Sequence, residues 1–467
     1  MQVNKKKIML IYPPSPIMNR EDRCQQPTKE LLVIPPLPPT DLMYLAAVAE
    51  SLGFEAQIKD YSLGGDFKTD LLDFKPDYLV ANIATPTFKS DMESVALAKS
   101  TIPNITTIVK GAPFLTYNTN VIYENPFIDY VIIGEPELTL KEILEGAPNN
   151  EILGICYNEN NQSIKNDNRP FNEDLDSLPF PARHLVDNTI YKRPDNGKIQ
   201  AVIKVSRGCP YHCFFCLATP VAGSKVRTRS AENIIAEIKE CVEKYNIKNF
   251  LFWSDIFNLD RAWTIDLCNK IIDSGLKITW SSNSRANTMD DELASIMYKA
   301  GCRLVSLGVE SGSQEVLDNI GKKITLDQIR ETVRILKKNK IKVYNYFVIG
   351  LPWETEETVE ETIRFAIELD SNFISFYTAT PLPGTKFFAY AMMNKLIDGQ
   401  LDFNSAYYVP TVRSHKLSKE RIFELHKKAV KRFYLRPSFI IKTVLGLRSF
   451  TEFKNYFLAG LSLLLKK

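Results

Sequence analysis

The sequence has little cysteine, little histidine and almost no net charge. Its 467 residues include 8 cysteines and 4 histidines, and its formal charge is +3. Eight cysteines are too sparse for the disulfide framework of a small secreted protein. The balanced charge argues against a wholly disordered chain or a protein that coats polyanions. A chain of this length is expected to form several domains, each with its own core.

Long apolar runs are also missing. No stretch approaches the roughly 18 apolar residues that a membrane-spanning helix needs. The opening segment has only a short apolar run before Pro13 and Pro14, which is too short for a signal peptide. We therefore expect a cytoplasmic protein of a reducing compartment with no membrane span.

Short apolar runs and helix-like stretches alternate over the first 145 residues. The predicted strands are Lys7–Tyr12, Ala56–Tyr61, Tyr78–Ile83, Thr107–Lys110 and Tyr130–Ile133, and the predicted helices are Thr40–Ser51, Lys89–Lys99 and Leu138–Leu144. Continuous apolar strands separated by helices are typical of a parallel sheet covered on both faces. The predicted fold class is α/β, beginning with a doubly wound, Rossmann-like sheet that binds ligands beyond the carboxyl ends of its strands.

A second alternation begins near residue 200. The predicted strands are Ala201–Val205, Asn249–Trp253, Lys277–Ser281, Arg303–Gly308, Lys342–Ile349 and Phe373–Ala379, and the helices between them are Ala231–Tyr245, Arg261–Ser274, Asp291–Lys299, Leu326–Lys338 and Glu356–Leu369. This rhythm predicts a partial parallel (β/α)6 barrel of the TIM type. We divide the chain into the first sheet at 1–145, a connector at 146–195, the barrel at 196–395 and a helical C-terminal region at 396–467.

Three cysteines lie together in the segment SRGCPYHCFFCL. Cys209, Cys213 and Cys216 have the spacing C-x3-C-x2-C and follow the first predicted barrel strand, where barrel enzymes place their chemistry. Three thiolates suit three irons of a 4Fe–4S cluster and leave the fourth iron open to bind and reduce a ligand. Zinc with His212 as the fourth ligand is the alternative, although adjacent residues rarely point at one metal ion.

The other cysteines have no partner spacing. Cys156, Cys241, Cys268 and Cys302 lie in helix-like or strand-like contexts and are expected to be buried as small hydrophobes. Cys24 lies in a polar stretch and is the candidate for a reactive thiol.

The cysteine loop, with the aromatic Phe215 just before its last cysteine, resembles that of radical S-adenosylmethionine (SAM) enzymes. The resemblance implies that the open iron chelates the amino and carboxylate groups of SAM. One electron then cleaves the sulfonium to a 5′-deoxyadenosyl radical, while the protein orients the reactants and excludes water. It also implies an electron donor such as a flavodoxin or a ferredoxin.

The resemblance assigns SAM contacts to residues at successive barrel strand ends. The segment GVESG would contact the ribose and carboxylate, with Glu310 as its leading polar group, and the turn GLPWET would lie on the adenine side. The SAM-binding residues predicted in this way are Phe215, Ser254, Asp255, Asn283, Arg285, Ser306, Glu310, Gly350 and Pro352. Taken singly, Asp255 could be a helix cap and Glu310 a surface acid, but their order around the barrel favours a shared site. No catalytic residue is assigned.

The first 145 residues resemble the cobalamin-binding domain fused to many radical SAM proteins. The candidate cobalamin-binding residues are Pro14, Thr85, Thr87, Gly111, Gly134 and Glu135, although glycines at strand ends are also ordinary turn residues. The D-x-H-x-x-G loop, whose histidine ligates cobalt, is missing, and none of the four histidines lies in this domain. Two interpretations stay open. Cobalamin binds with no protein ligand on its lower face, which we favour, or the domain is a scaffold.

With cobalamin bound, the resemblance implies C-methylation of an unactivated carbon. The 5′-deoxyadenosyl radical would remove a hydrogen atom, methylcobalamin would donate the methyl group, and a second SAM would remethylate the cobalt. The alternatives are a cobalamin-associated radical cyclase or oxidoreductase and another non-methylating radical SAM enzyme. Outside the enzymes, a zinc- or cluster-containing binding module is the alternative.

The C-terminal tail is basic and aromatic. Residues 431–467 carry eight Lys or Arg against Glu452, a net charge of +7, and residues 457–465 are apolar. Three interpretations stay open, namely a helical lid over the barrel mouth, a segment at an anionic membrane surface, and contact with single-stranded nucleic acid, which we favour least. Peripheral membrane contact would suit a lipid-like substrate such as an isoprenoid or hopanoid, as opposed to another small molecule.

Overall fold

The chain folds into two compact units, which are described separately. The structure, a computed structural model, describes residues 5–22, 24–27, 37–116, 120–159, 162–193, 196–397, 409–447, 452–455 and 458. The first unit contains the residues up to Asn188 together with Leu217–Arg227, and the second contains Thr189–Cys216 and the residues from Thr228 onward. The segment that directly follows Cys216 therefore belongs to the first unit. The four-part division at 145, 195 and 395 stays a prediction.

The first unit is built on a mixed sheet. Its strands are β1 (Lys7–Tyr12), β2 (Met18–Glu21), β3 (Cys24–Pro27), β4 (Glu55–Asp60), β5 (Tyr78–Asn82), β6 (Thr106–Lys110), β7 (Tyr130–Ile132), β8 (Ile155–Glu159) and β9 (Gln162–Lys165). Its helices are α1 (Thr40–Ser51), α2 (Phe67–Phe74), α3 (Phe88–Thr101), α4 (Asn120–Glu124), α5 (Pro136–Glu145) and α6 (Ala218–Ala222). The sheet order is β4-β1-β5-β6-β7-β8-β9, and β2 and β3 form a separate hairpin. Strands β4 to β7 run parallel with β1. Strand β8 pairs antiparallel with β7, and β9 pairs antiparallel with β8.

The strand order of this sheet reverses at β1, which has β4 on one side and β5 on the other. This is the doubly wound arrangement, and ligands bind where the order reverses. The sequence of β1 explains its place in the middle of the sheet. Ile8 and Leu10 pack into the layer that contains α1 and α5, whereas Met9 and Ile11 pack into the layer that contains α2 and α3. Both faces are covered, as the continuous apolar strands predict.

The second unit is built on a parallel sheet of six strands, and a short separate pair of strands lies outside that sheet. Its strands are β10 (Ala201–Lys204), β11 (Ser206–Arg207), β12 (Arg227–Thr228, at the boundary of the units), β13 (Asn249–Trp253), β14 (Thr279–Ser284), β15 (Cys302–Glu310), β16 (Lys342–Ile349) and β17 (Phe373–Thr378). Its helices are α7 (Ala231–Tyr245), α8 (Arg261–Asp273), α9 (Asp291–Lys299), α10 (Gln314–Asn319), α11 (Leu326–Lys338), α12 (Glu356–Leu369), α13 (Lys386–Met393), α14 (Lys419–Tyr434) and α15 (Pro437–Gly446). Strands β11 and β12 form the separate pair. The parallel order β10-β13-β14-β15-β16-β17 follows the chain, as expected for a partial barrel.

Alternate residues of the barrel strands face the helices or the interior of the barrel. Phe252 and Trp280 stack on the helix side with ring centroids 4.7 Å apart. Asn283, Ser306 and Tyr344 occupy matching register positions on β14, β15 and β16, on the interior side. Polar residues can therefore continue a strand here because they face the interior.

Helix α14 protects the edge of the barrel sheet. Strand β17 is the last strand of that sheet, and an edge strand presents bare backbone groups. The hydroxyl of Tyr434 donates to the carbonyl of Ile374 at 2.5 Å and accepts from its N–H at 3.1 Å. Arg421 adds a bond of 2.7 Å to Glu356 on α12. Helices α14 and α15 account for most of the described C-terminal region, as predicted, whereas the described residues 409–418 are irregular. Apart from Leu458, the apolar run 457–465 lies outside the described residues.

Among the described residues, no helix is both long enough and apolar enough to cross a bilayer.

Candidate functional site

The loop after β11 brings three cysteine thiols to the carboxyl end of the barrel sheet. Cys209 is buried, Cys213 and Cys216 are half-buried, and none of the three forms a disulfide with a described residue. The N–H of Cys216 donates to the carbonyl of Cys213 at 3.1 Å, so these two residues share one tight turn. The N–H of Gly208 donates to the carboxylate of Asp255 at 2.8 Å. Asp255 thereby ties the loop to the end of β13.

Phe214 anchors this loop between its second and third cysteines. Its N–H donates to the carbonyl of Ile320 at 3.0 Å, and its carbonyl accepts from Phe387 at 2.9 Å. Its ring lies 4.9 Å from that of Trp353 and 5.3 Å from that of Phe387. Phe215, which the sequence assigns to SAM, packs against the same apolar core. Sequence reasoning missed the anchor because the partners of Phe214 lie more than a hundred residues away along the chain.

Three further predicted SAM residues belong to neighbouring barrel strands: Ser254 directly follows β13, Asn283 lies next to the end of β14, and Ser306 lies in the middle of β15. Ser254 is fully buried directly before Asp255, and Ser306 is also buried. Asn283 is half-buried and shares a register position with Ser306. The structure therefore brings Ser254 and Asn283 to the same end of the barrel as the cysteine loop, whereas Ser306 lies deeper in the barrel wall.

Arg285 is a buried cation that contacts the cysteine loop. Its guanidinium lies 3.8 Å from the ring centroid of Tyr211, which stands between the first two cysteines. One of its terminal nitrogens donates to the carbonyl of Lys323 at 3.3 Å. Its Nε is buried and has no hydrogen-bond partner among the described residues. A donor left open in this way is suited to an anionic group of a ligand.

Glu310 forms a buried ion pair with Lys322 at the end of β15. The carboxylate and ammonium are 2.6 Å apart, and each side chain is 10% exposed. A Cβ at Gly308 would lie 2.4 Å from the Glu310 carboxylate and 2.8 Å from the Lys322 nitrogen, so the first glycine of GVESG leaves room for the pair. Burial lowers the pKa of Lys322, but Glu310 and Cys213 outweigh it and raise that pKa above its ordinary value. Glu310 is therefore a paired interior group and not a surface acid.

Glu354 organises the turn GLPWET. Its carboxylate accepts from the N–H of Gly350 at 2.6 Å and from the N–H of Leu351 at 2.9 Å. The carbonyl of Pro352 accepts from His415 at 2.9 Å. The predicted site residues Gly350 and Pro352 therefore belong to a turn that is held from both sides, and Glu354 is the residue that the sequence prediction left out.

Glu354 predicts a pH dependence of stability. Burial raises its pKa to about 7, against the smaller lowering effect of the two N–H donors. This pKa lies above the value of 4.5 in the unfolded chain. The protonated side chain of Glu354 therefore contributes fully to the free energy of unfolding below pH 4.5, and this contribution is lost as the pH rises through 7. The difference between the folded and unfolded pKa values corresponds to about 3 kcal/mol of unfolding free energy. Glu354→Gln stays neutral and keeps an acceptor, so we expect it to remove this loss in unfolding measurements between pH 5 and pH 8.

The exposed Glu361→Gln is the control for this prediction and should keep the wild-type slope. If the free energy of unfolding falls equally with pH in Glu354→Gln and in the wild type, the raised pKa of Glu354 is not its cause.

A buried polar network occupies the carboxyl edge of the first sheet where its strand order reverses. Asp41 accepts from the hydroxyl of Tyr12, from the amide of Asn82 at 2.8 Å and from the ammonium of Lys110 at 2.6 Å. Tyr12, Asn82 and Lys110 are the last residues of β1, β5 and β6. The edge at which such sheets bind ligands is therefore lined by paired charges.

The β2–β3 hairpin is fixed to the same edge. Arg20 bonds both carboxylate oxygens of Asp91, at 2.8 and 2.9 Å, and Thr87 donates its hydroxyl to Asp91 at 2.8 Å. The N–H of Thr85 donates to the amide oxygen of Gln25 at 2.6 Å. The two threonines predicted to bind cobalamin thus have partners within the protein.

Three more predicted cobalamin residues differ in their surroundings. The carboxylate of Glu135 forms a two-point pair with Arg227, both bonds 2.9 Å long, and accepts from the N–H of Asn172 at 2.9 Å. Glu135 thus helps to fix the segment after Cys216 within the first unit. Pro14 is exposed. A Cβ at Gly134 would meet nothing within 4 Å, which leaves its surroundings open to a ligand.

Known proteins resemble this chain over nearly its whole length. Residues 203–366 match the family described as the radical SAM superfamily. A protein of Pyrococcus horikoshii named an uncharacterized methyltransferase is 34% identical over 440 residues, which cover 89% of this chain and 94% of that protein. The chain belongs to the radical SAM superfamily. The family predicted from the cysteine loop is therefore confirmed.

Two other relatives of this radical SAM protein extend the comparison. The anaerobic magnesium-protoporphyrin IX monomethyl ester cyclase of Cereibacter sphaeroides is 25% identical over 420 residues, covering 86% of this chain and 68% of that one. The structure of the radical SAM methyltransferase TsrM from Kitasatospora setae, with cobalamin and a 4Fe–4S cluster bound, superposes with a TM-score of 0.71 at 18% identity, covering 93% of this chain and 90% of that one. The predicted α/β fold, with its N-terminal sheet, partial barrel and C-terminal helices, is confirmed.

The cysteines of this radical SAM protein fit the cluster that the superfamily implies. The three cysteines lie on one loop, and none of them is in a disulfide with a described residue. Among the described residues, no three His, Cys, Asp or Glu side chains converge as they do around a single ion. A four-iron cluster takes its thiolates at separate corners of a cube, whereas tetrahedral zinc needs all its ligands around one ion.

The first unit fits a cobalamin at the reversal point. Asn82 Oδ1 and Arg20 Nε are buried there without hydrogen-bond partners among the described residues, and the space beside Gly134 is open. Among the residues described in this unit, the histidine is His184, whose ring nitrogen lies 2.9 Å from the carboxylate of Glu50. The residues present thus suit a cobalamin whose lower face has no histidine ligand.

Four of the cysteines outside the loop are structural. Cys156, Cys241, Cys268 and Cys302 are buried, and burial raises the pKa of Cys268 to about 12. A buried thiol with a raised pKa is a poor nucleophile and a poor ligand, which confirms the prediction. The side chain of Cys24 lies outside the described part of the structure.

Sequence reasoning missed Lys322, Tyr211 and the pair Asp41–Lys110. A charged residue at the end of an apolar strand, as in TTIVK before Gly111, is a signal that could have identified Lys110. No comparable signal marks Lys322, because its partner Glu310 is 12 residues away and no helical or strand period joins them.

Proposed function

We propose that this radical SAM enzyme catalyses cobalamin-dependent methylation of an unactivated carbon. One observation carries the proposal. The three-thiol loop lies at the barrel end of a chain whose fold matches that of TsrM over 93% of its length. The near full-length likeness to a protein named a methyltransferase supports the same reaction class.

The residues around the loop have distinct roles in this proposal. When bound, the cluster supplies the electron that cleaves SAM, and cobalamin carries the methyl group. Asp255 and Phe214 hold the loop in place. Arg285 offers its open nitrogen to the carboxylate of SAM, and the Glu310–Lys322 pair keeps fixed charges beside the loop, where a site of low polarity strengthens their effect.

The barrel interior supports a substrate with little charge. Tyr346 and Tyr377 are half-buried with ring centroids 6.0 Å apart, and the hydroxyl of Tyr344 lies 2.6 Å from that of Ser375. Aromatic rings with a few hydroxyl groups are typical of sites for apolar organic ligands. We therefore include a small or lipid-like substrate in the proposal, with a flavodoxin or ferredoxin as the electron donor.

The proposal is tested on protein reconstituted without oxygen and supplied with cobalamin. We expect about four irons and four sulfides per chain and a corrinoid spectrum that survives desalting. With SAM and a strong reductant, we expect 5′-deoxyadenosine together with S-adenosylhomocysteine, the latter dependent on cobalamin. Loss of the corrinoid on desalting, or one zinc per chain without SAM cleavage, would overturn the proposal.

A radical cyclase is the second candidate, because the likeness to the Cereibacter sphaeroides cyclase covers 86% of this chain. A cyclase has no methyl group to transfer. It would form 5′-deoxyadenosine and methionine without S-adenosylhomocysteine, so the same experiment separates the two reactions.

A further inference from the structure

Helix α15 presents an apolar face that the other described residues of the unit leave exposed. Ile440, Ile441, Val444 and Leu445 are 47%, 58%, 57% and 81% exposed. Positions i, i+1, i+4 and i+5 lie on one side of an α-helix, so these four side chains form a continuous aliphatic face. Single exposed apolar residues are ordinary, but a contiguous patch marks an interaction surface.

The opposite side of α15 holds the helix in place. Phe439 packs against Phe433 and Tyr434, with ring centroids 5.4 and 5.1 Å apart. Lys442 and Arg436 donate to the carboxylate of Asp370 at 2.7 and 2.6 Å. Because Phe439, Arg436 and Lys442 share one side of the helix, the aliphatic face is directed away from the barrel.

The segment that carries this face is strongly basic in sequence. Residues 431–467 have a net charge of +7 in a chain whose total is +3. Counting Glu360 and Asp370, which pair with cations of this segment, leaves +5. Lys431 and Lys454 are exposed. An aliphatic face within a strongly basic segment matches the interfacial region of an anionic bilayer, where acyl chains lie beneath phosphate groups.

We propose that α15 binds the surface of anionic membranes, with its aliphatic face among the acyl chains and the basic residues at the headgroups. This inference does not depend on the reaction proposed above. Aliphatic side chains do not stack on bases, which disfavours single-stranded nucleic acid. A symmetric dimer through the same patch would bring two +5 segments together, and repulsion between like charges disfavours it.

The test is co-sedimentation of the cluster-loaded full chain with vesicles. We expect binding to vesicles of equal parts phosphatidylglycerol and phosphatidylcholine, little binding to phosphatidylcholine alone, and weaker binding as NaCl is raised. Ile441→Glu combined with Leu445→Glu should reduce partitioning at least about tenfold, because it places two charges in the apolar face. The matched control is Leu72→Glu with Ile272→Glu, which makes the same charge change at exposed residues of α2 and α8 and should bind as the wild type does.

A second variant tests the contribution of the basic residues without changing the aliphatic face. Lys431→Glu with Lys454→Glu should also weaken binding to the anionic vesicles, while iron content and circular dichroism stay those of the wild type. Equal binding to both vesicle types, or equal loss in the α2/α8 control, would overturn the proposal. So would a wild-type dimer that the α15 variant dissociates without vesicle binding, or tighter binding to polyuridine than to vesicles.

Discussion

Cys213→Ala is expected to abolish the formation of 5′-deoxyadenosine. Cys213 lies in the tight turn with Cys216 and helps to raise the pKa of Lys322, so its removal changes both a predicted cluster ligand and the surroundings of Lys322. Two thiolates cannot hold the three irons that leave one corner open. SAM cleavage under reducing conditions should fall to the background of the reductant alone, as measured by chromatography of the nucleoside product.

The controls for this variant are Cys241→Ala and corrinoid retention. Cys241 is fully buried on α7, so its replacement should cost about 1–2 kcal/mol of stability and leave SAM cleavage intact. Cys213→Ala should still retain cobalamin after desalting, because the proposed cobalamin residues lie in the first unit. Product formation by Cys213→Ala would contradict the role of the loop.

Gly111→Ala is expected to destabilise the first unit by about 4 kcal/mol, the combined cost of a strained backbone and an overpacked core. Gly111 follows β6 with a φ of +141°, and a Cβ there would lie 2.0 Å from the carbonyl oxygen of Ile83. That segment cannot retreat freely, because the N–H of Ile83 donates to the carbonyl of Lys110 at 2.8 Å. Urea unfolding followed by circular dichroism measures the loss.

Gly134→Ala is the matched control for this prediction. Gly134 has a φ of +87°, but a Cβ there meets nothing within 4 Å, so we expect a cost of roughly 1 kcal/mol from backbone strain alone. The sequence assigns both glycines to cobalamin binding, but only Gly111 is tightly packed. Comparing the two variants therefore separates the effect of packing on stability from an effect of cobalamin contact. Gly111→Ala with wild-type stability would contradict the packing role.

The parallel strands of both sheets were predictable because parallel strands buried on two faces are continuous apolar runs, whereas the antiparallel strands β8 and β9 were not among the predicted strands. Strand β1 has the predicted bounds. Strand β14 was predicted to end at Ser281 but continues to Ser284, because its serines and Asn283 alternate between the two sides of a barrel wall. Strand β15 was predicted to end at Gly308 but extends to Glu310 through a bulge. Glu310, its last residue, forms an ion pair with Lys322, which is 12 residues further along the chain.

The candidate site was predictable where one local spacing carries the chemistry and not elsewhere. Cys209, Cys213 and Cys216 indicate a cluster loop because all three predicted ligands lie within eight residues. Arg285 and Asp255 could be placed at strand ends, but their contacts with Tyr211 and Gly208 depend on how the loop folds back. Contacts between distant segments have no period in the sequence, so they could not be read from it.

The most direct test of the central claim is the electron paramagnetic resonance spectrum of the reduced, anaerobically reconstituted protein with and without SAM. If three cysteines hold a 4Fe–4S cluster with one open iron, the spectrum shows a reduced cluster whose signal changes when SAM is added, because SAM becomes a ligand of that iron. A cluster signal that SAM leaves unchanged, or a protein that takes up no iron, would contradict the account.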